Sequence, residues 1–171
     1  MKKGVIILAS SNSEGETSSL ANYIAKKLEY TIIDLNQKKI GHFDYEFKNS
    51  GDDFLPIIRD IVDQEIELIL FATPVYWYTM SGLLKVFFDR FSDCLKTEKE
   101  LGRQLRGKSM AVLSCGYDKE LKPGFHMPFI ETANYLGVEY AGDVHGWVRE
   151  EGQISKEIKD RLDAFVKALL I

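Results

Sequence analysis

The chain of 171 residues is poor in the side chains that bind metals and form redox pairs. Cys94 and Cys115 are its two cysteines, and their spacing fits neither a CxxC pair nor a zinc knuckle. The three histidines, His42, His126 and His145, lie far apart in the sequence and form no motif with metal-ligand spacing. The sequence therefore predicts no metal site, and we expect a protein of the reducing cytoplasm.

The chain also lacks a basic field and a long apolar run. Its formal net charge is -4, and its lysines and arginines are scattered, so we do not expect nucleic acid as a partner. Lys2 and Lys3 before the apolar segment 5–9 imitate a signal peptide, but that segment is shorter than the usual ~7–15 residues. No other run approaches the ~18 apolar residues of a membrane span. We expect a soluble protein.

A chain of this length that is 45% hydrophobic can bury one core of good size. There is no internal repeat, low-complexity tract or linker. We therefore expect one domain over residues 1–171.

Runs of β-branched and apolar residues alternate with helical patterns along the chain. The five strand-like runs are Gly4–Ala9, Thr31–Leu35, Leu68–Ala72, Ser109–Ser114 and Val138–Val144. The five helical patterns include one continuous third helix from Met80 to Phe91. Parallel strands need helical crossovers, so the alternation predicts an α/β fold with a five-stranded parallel sheet covered on both faces, in the order 2-1-3-4-5.

In such a sheet ligands bind beyond the carboxyl ends of strands one and three, where the winding direction reverses. The loop after strand one, Ser10 to Ser19, is rich in hydroxyl groups and runs into the first helix. Amides and hydroxyls at a helix start can hold a phosphate without Lys or Arg. Alternatively, these side chains merely cap the helix. The GxGxxG fingerprint is absent, which argues against a tightly bound nicotinamide dinucleotide in this loop.

The loop after strand three is aromatic. Pro74 fixes the backbone, the amides of Val75 to Tyr78 can face a polar ring edge, and Tyr76 and Trp77 offer ring faces or edges. After strand four comes a small-residue loop around Gly116, which lets backbone approach a ligand closely. Three such loops together could surround a phosphate, a ring edge and a ring face, which indicates a flavin.

Residues 72–85, continuing to Asp89 and Arg90, resemble the central signature of the flavodoxin-like NAD(P)H-dependent FMN reductase family. The loop from Ala9 to Thr17 resembles that family's phosphate loop, and residues 136–142 resemble its last strand. The resemblance implies a flavodoxin-like three-layer α/β/α fold. It also implies FMN as cofactor, NAD(P)H as co-substrate, a small-molecule electron acceptor, and a homodimer or higher homo-oligomer.

Carried over residue by residue, the resemblance assigns three groups of cofactor-binding residues. They are Ser10, Asn12, Thr17 and Ser18 at the phosphate; Pro74, Val75, Tyr76, Trp77 and Tyr78 along the isoalloxazine; and Ser114, Cys115 and Gly116 on its far side.

Two features depart from the family pattern. Asn12 stands where Arg is frequent and Glu16 where Asn is frequent, which should weaken phosphate binding by ~1–3 kcal/mol if the groups are close and unscreened. Segment 39–47 has no cysteine, so the iron–sulfur centre of some relatives cannot form.

The favoured function is an FMN-dependent NAD(P)H:acceptor oxidoreductase with ping-pong kinetics. The alternatives are a flavodoxin-like electron carrier or regulatory module, and a fold that has lost its cofactor. Catalytic side chains are not required for the first half-reaction, because the cofactor performs the hydride chemistry.

The remaining reactive residues are interpreted as structural. We expect Cys94 and Cys115 to serve packing, and Asp89 and Arg90 to form a surface or interface ion pair. His145 follows the fifth strand and is the histidine that we place on the active-site side.

Overall fold

The computed structural model describes residues 2–147 and 153–170 and contains one five-stranded parallel sheet. The strands are β1 Gly4–Leu8, β2 Thr31–Asp34, β3 Leu68–Pro74, β4 Ser109–Gly116 and β5 Glu139–Trp147. Their order is β2-β1-β3-β4-β5, with every neighbouring pair parallel. The predicted fold and strand order are confirmed.

Seven α-helices connect or flank these strands in the described residues. They are α1 Glu16–Leu28, α2 Phe54–Asp63, α3 Gly82–Asp89, α4 Phe91–Lys96, α5 Lys99–Arg103, α6 Met127–Leu136 and α7 Lys156–Leu169. A short 3-10 turn, Leu35–Gln37, follows β2. None of the helices seen in residues 2–147 and 153–170 is long and apolar enough to cross a membrane.

The sheet is buried on both faces, which is why its strands read as continuous apolar runs. In β1, Val5 and Ile7 point into one core, while Ile6 and Leu8 point into the other. Helices α2, α3 and α6 cover the first face, and α1 and α7 cover the second. The site-bearing loops therefore emerge from the rigid centre of a three-layer fold.

The prediction of one continuous third helix is wrong, because the helix breaks at Arg90 into α3 and α4. The prediction of a surface or interface ion pair is also wrong for Arg90, whose exposed fraction is 1%. Its guanidinium donates to Asp93 (Nη2–Oδ2 2.7 Å), to Asp52 and to the carbonyl oxygens of Gly41 and Asn49, both at 3.0 Å. Arg90 thus anchors the long loop before α2.

Burial alone would raise the pKa of Asp52, but hydrogen bonds from Arg90 and from the amides of Phe54 and Gly41 leave that pKa lowered. Asp89 pairs with Lys85 at the surface rather than with Arg90, so the predicted partner is wrong for both residues. Cys94 is buried in the core, as predicted, and burial raises the pKa of its thiol to about 12.

Candidate active site

A crevice of about 260 Å³ opens at the carboxyl ends of β1, β3 and β4. It brings together eight of the predicted cofactor-binding residues: Ser10, Asn12, Thr17, Pro74, Val75, Tyr76, Cys115 and Gly116. Glu16 and Tyr117 also line it. Because parallel strands end at one sheet edge, loops that are about 100 residues apart in sequence share this cavity.

A second cavity of about 220 Å³ adjoins the crevice and shares Val75, Gly116 and Tyr117 with it. Trp77, Tyr78 and His145 line this second cavity, together with residues of the segment 117–122. Ser18 and Ser114, the remaining predicted residues, are buried and line neither cavity. The structure thus divides the predicted residues between the crevice, the second cavity and a buried layer beneath them.

The first loop enters α1 without a side-chain cap on the first turn of the helix. Gly15 is the N-cap of α1 and no side chain caps the helix, so hydroxyl capping does not explain the Ser and Thr residues here. The Asn12 amide Oδ1 accepts instead from the Glu14 N–H at 3.0 Å, shaping the loop before the helix. The first-turn N–H groups and the buried Ser10 and Thr17 face an anion-sized space at the positive end of the helix dipole.

Glu16 brings a negative charge to the same place. Its side chain is exposed and lines the crevice beside Thr17. Asn12, which also lines the crevice, has an uncharged amide side chain rather than a cationic one. The backbone dipoles at the start of α1 therefore attract a phosphate, and the carboxylate of Glu16 repels it.

Buried hydrogen bonds of Ser81 and Thr73 link the first two loops. The sequence analysis did not identify them. The Ser81 hydroxyl donates to the Ala9 carbonyl at 2.6 Å and accepts from the Leu84 N–H at 3.2 Å, capping α3. The Thr73 hydroxyl, fully buried, accepts from the Ser81 N–H at 3.0 Å. The signal was available in sequence, since a Ser before a helical pattern is a capping residue.

The aromatic loop is a two-residue turn with strained backbone. The amide and carbonyl of Tyr76 pair with those of Thr79, and the central residues Trp77 and Tyr78 have φ of 47° and 68°. Left-handed φ at both positions is the type I′ pattern, which normally takes Asn or Gly. Trp77 is 91% exposed and Tyr78 61% exposed, so the strain holds two aromatic rings out beside the second cavity.

This geometry corrects one expectation about the backbone amides. The Val75 N–H already donates to the Cys115 carbonyl at 2.7 Å, and the Tyr76 N–H to the Thr79 carbonyl at 2.9 Å. In a two-residue turn of this kind the central amides are not part of the closing pair. The donors left for a ring edge are therefore those of Trp77 and Tyr78.

His145 on β5 contacts the end of β4 and the loop that follows it, with a hydrogen bond at each ring nitrogen. Its Nε2 lies 2.9 Å from the Asp118 carbonyl oxygen, which can only accept, so Nε2 carries the proton. Its Nδ1 then accepts from the Ser114 hydroxyl at 2.8 Å. Burial lowers the pKa of His145, with Arg161 and His126 adding to that shift, and the ring is held neutral.

Cys115 is buried at the end of β4, and its burial raises the thiol pKa to about 12. Glu16 raises that pKa further and a hydrogen bond with Thr17 opposes the shift. A protonated thiol is a poor nucleophile, so the role of Cys115 is packing rather than covalent chemistry.

The donor set fits FMN. Unused helix amides and buried hydroxyls suit a terminal phosphate, and Gly116, which lines the crevice without a side chain, lets a flat ring approach the backbone. In the part of the chain that the structure describes, no group of three or more His, Cys, Asp or Glu side chains is placed to hold a metal ion.

The fold and this crevice define a flavodoxin-like protein. Residues 2–122 match the model of the NADPH-dependent FMN reductase family, and the chain belongs to that family. It is an FMN-dependent oxidoreductase that takes its electrons from NAD(P)H.

Individual relatives agree with this assignment. The chain is 27% identical over 165 residues to YwqN of Bacillus subtilis strain 168, named an NAD(P)H-dependent FMN-containing oxidoreductase, covering 91% of this chain and 90% of that protein. The structure of the Bacillus subtilis Trp repressor binding protein aligns with a TM-score of 0.76 and 26% identity, over 98% of this chain and 97% of that one.

An FMN-dependent NADH-azoreductase from Bacillus anthracis, solved with FMN, aligns with a TM-score of 0.67 over 98% of this chain and 97% of that one. Its identity is 15%, so this likeness shows the shared fold.

Proposed function

We propose that the crevice holds FMN with its phosphate at the start of α1, against Ser10, Asn12, Thr17 and Ser18. The isoalloxazine then lies along Pro74 to Tyr78, with Ser114 to Gly116 on its far side. The observation that carries this proposal is the uncapped start of α1, which opens beside two buried hydroxyls at the carboxyl edge of the sheet. FMN is favoured over FAD because the loop is short and no second nucleotide motif is present.

FMN held in this crevice would supply the hydride and electron chemistry between NAD(P)H and the acceptor. The protein's part is to orient the ring and its reaction partners. The Trp77 and Tyr78 amides lie in the turn beside the second cavity, where they can donate to the polar ring edge. The apolar wall made by Val75, Trp77 and Tyr78 limits water at the open ring face.

A charge placed at Thr17 tests the phosphate site. We expect Thr17→Glu to abolish FMN binding, because a carboxylate beside a dianion is repelled. Thr17→Val, which removes only the hydroxyl, should weaken binding without abolishing it. Flavin fluorescence on titration measures the affinity.

The control is Thr31→Glu, which adds the same charge at the exposed amino end of β2. It should bind FMN like the wild type. Equal affinity of the wild type and Thr17→Glu would remove this loop from the site.

We further propose that NAD(P)H and a small-molecule acceptor use the second cavity in turn. No GxGxxG loop provides a private nicotinamide pocket, and the second cavity adjoins the crevice through Val75, Gly116 and Tyr117. Oxidised nicotinamide must then leave before the acceptor binds. Double-reciprocal plots at several acceptor concentrations should be parallel, and intersecting lines with a demonstrable ternary complex would contradict a shared site.

The proposal extends to assembly and location: a homodimer or higher homo-oligomer of a single-domain chain, in the cytoplasm. The exposed rings of Tyr76, Trp77 and Tyr78 support the first part, because a partner subunit could cover them and the flavin together. Light scattering with FMN bound should show a dimer or larger species at micromolar concentration, and only monomer would contradict it. The buried, unpaired thiols Cys94 and Cys115 suit a reducing compartment.

A further inference from the structure

One wall of the second cavity is a segment without helix or strand. Tyr117, Asp118, Glu120, Leu121 and Lys122 all line the cavity, and residues 117–122 have no regular backbone hydrogen bonding. A wall of this kind depends on a few specific contacts for its position. The shape of the cavity therefore depends on what holds residues 117–122.

The described polar contacts of this wall with the body of the protein are few, and Leu121 also packs, partly buried, against the first core. The Asp118 carbonyl accepts from His145 Nε2 at 2.9 Å. The Lys119 ammonium lies 3.4 Å from the Glu157 carboxylate and 5.1 Å from the centroid of the Trp147 ring, and its side chain is half exposed. Exposed ion pairs contribute little, so the part-buried bond from His145 is the stronger of the two polar tethers.

His145 is itself rigidly held. It is 6% exposed on β5, and Ser114 at the end of β4 donates to its Nδ1. The Asp118 carbonyl can only accept, so Nε2 carries the proton and the Ser114 hydroxyl is the donor to Nδ1. The ring also packs against Gly116, where an added Cβ would lie 3.5 Å from its Cε1. The chain Ser114–His145–Asp118 thus transmits the geometry of the sheet edge to the wall.

We propose that His145 is a positioning residue for the reaction: it fixes the 117–122 wall and so shapes the cavity used by nicotinamide and acceptor. This inference rests on the proposed use of the second cavity. It assigns no proton transfer to His145, because both ring nitrogens are already committed to protein groups.

Two amide variants separate the two hydrogen bonds. In His145→Gln the terminal amide reaches the position of Nε2 and can still donate to the Asp118 carbonyl. In His145→Asn the shorter amide reaches only the position of Nδ1 and Ser114. We expect His145→Asn to raise KM for NAD(P)H and acceptor roughly tenfold, as the loss of one part-buried hydrogen bond implies, with kcat changed less. His145→Gln should stay within about twofold of the wild type.

Two further measurements on the FMN-loaded protein accompany the kinetics. Hydrogen exchange over residues 117–122 should be faster in His145→Asn and unchanged in His145→Gln. The affinity for FMN should be the same in His145→Asn and the wild type, since His145 lies outside the crevice lining and Asn keeps the contact with Ser114.

The inference is overturned if the Asn and Gln variants behave alike, or if exchange over 117–122 is the same in all three proteins. It is also overturned if His145→Asn lowers FMN affinity as much as it raises KM, because the residue would then serve the cofactor site. A wild type that binds no FMN, or that forms a ternary complex, would instead refute the proposed function, so the two failures are distinguishable.

Discussion

The Ser81 hydroxyl lies 2.6 Å from the Ala9 carbonyl oxygen and so joins the start of α3 to the end of β1. The loop after β1 carries the phosphate-site residues, and the loop before α3 carries the aromatic turn. This buried oxygen therefore helps to fix the distance between the two halves of the crevice, together with the exposed contact of the Ser11 and Tyr76 hydroxyls at 2.8 Å.

Replacing Ser81 with Ala should cost roughly 1–2 kcal/mol of stability and also weaken FMN binding, because both the helix cap and the link to Ala9 are lost. Urea unfolding and flavin titration measure the two effects. Ser155→Ala is the matched control, since Ser155 caps α7 through the Ile158 N–H without touching the crevice. It should lose stability only; comparable FMN affinity in the two variants would show that the link to Ala9 is not used.

Glu16→Gln should strengthen FMN binding severalfold, because it removes a carboxylate from the phosphate end of the crevice. The gain should shrink as salt is added, since Glu16 is exposed and screened. Glu14→Gln in the same loop, outside the crevice lining, is the control and should change affinity much less. A gain that is equal for both residues would indicate only a general charge effect.

The double variant Trp77→Asn, Tyr78→Gly should be more stable than the wild type by about 1 kcal/mol, because Asn and Gly adopt left-handed φ with less strain. It should also lose activity, because the rings beside the second cavity are gone. Glu29→Gly relieves a similar φ of 56° at the end of α1 and should raise stability without affecting activity. Full activity in the double variant would show that the two rings have no part in the reaction.

Arg90→Met should destabilise the fold by about 3–5 kcal/mol, because the buried Asp93 and the partly buried Asp52 lose their cation. Chemical denaturation measures the loss. Lys85→Met breaks an exposed pair with Asp89 and should cost under about 1 kcal/mol. Similar losses in the two variants would contradict the anchoring role of Arg90.

The neutral His145 predicts a stability that falls in mild acid. The pKa of this histidine is lowered from its ordinary 6.5, so the unfolded chain binds a proton before the folded protein does. Stability should therefore be unaffected well above pH 6.5 and decrease as the pH falls from there towards the lowered pKa. Urea midpoints measured from pH 8 to pH 5 should decrease more for the wild type than for His145→Gln. Parallel pH profiles would show that His145 is not responsible.

The sheet could be predicted from sequence because strands buried on both faces leave unbroken apolar runs, and crossover helices leave little freedom of order. Arg90 could not, because nothing local distinguishes a buried arginine from an exposed one; its partner Asp52 is 38 residues away in the chain. The same limit explains His145, whose contacts with Ser114 and Asp118 arise only when β4 and β5 pair. The aromatic turn was located by composition, but its left-handed backbone runs against the preference of Trp and Tyr.

Other hydrogen bonds hold the opposite, amino-terminal edge of the sheet. Lys108 Nζ donates to the Ile66 carbonyl at 2.6 Å, and Ser109 Oγ donates to the Glu139 carboxylate at 2.9 Å. Because the crevice depends only on the carboxyl edge, the two edges are separable targets for protein engineering. Tags, immobilisation chemistry or stabilising substitutions belong at the amino edge around Lys108. Libraries that seek new electron acceptors belong in the wall at 117–122 and in the aromatic turn.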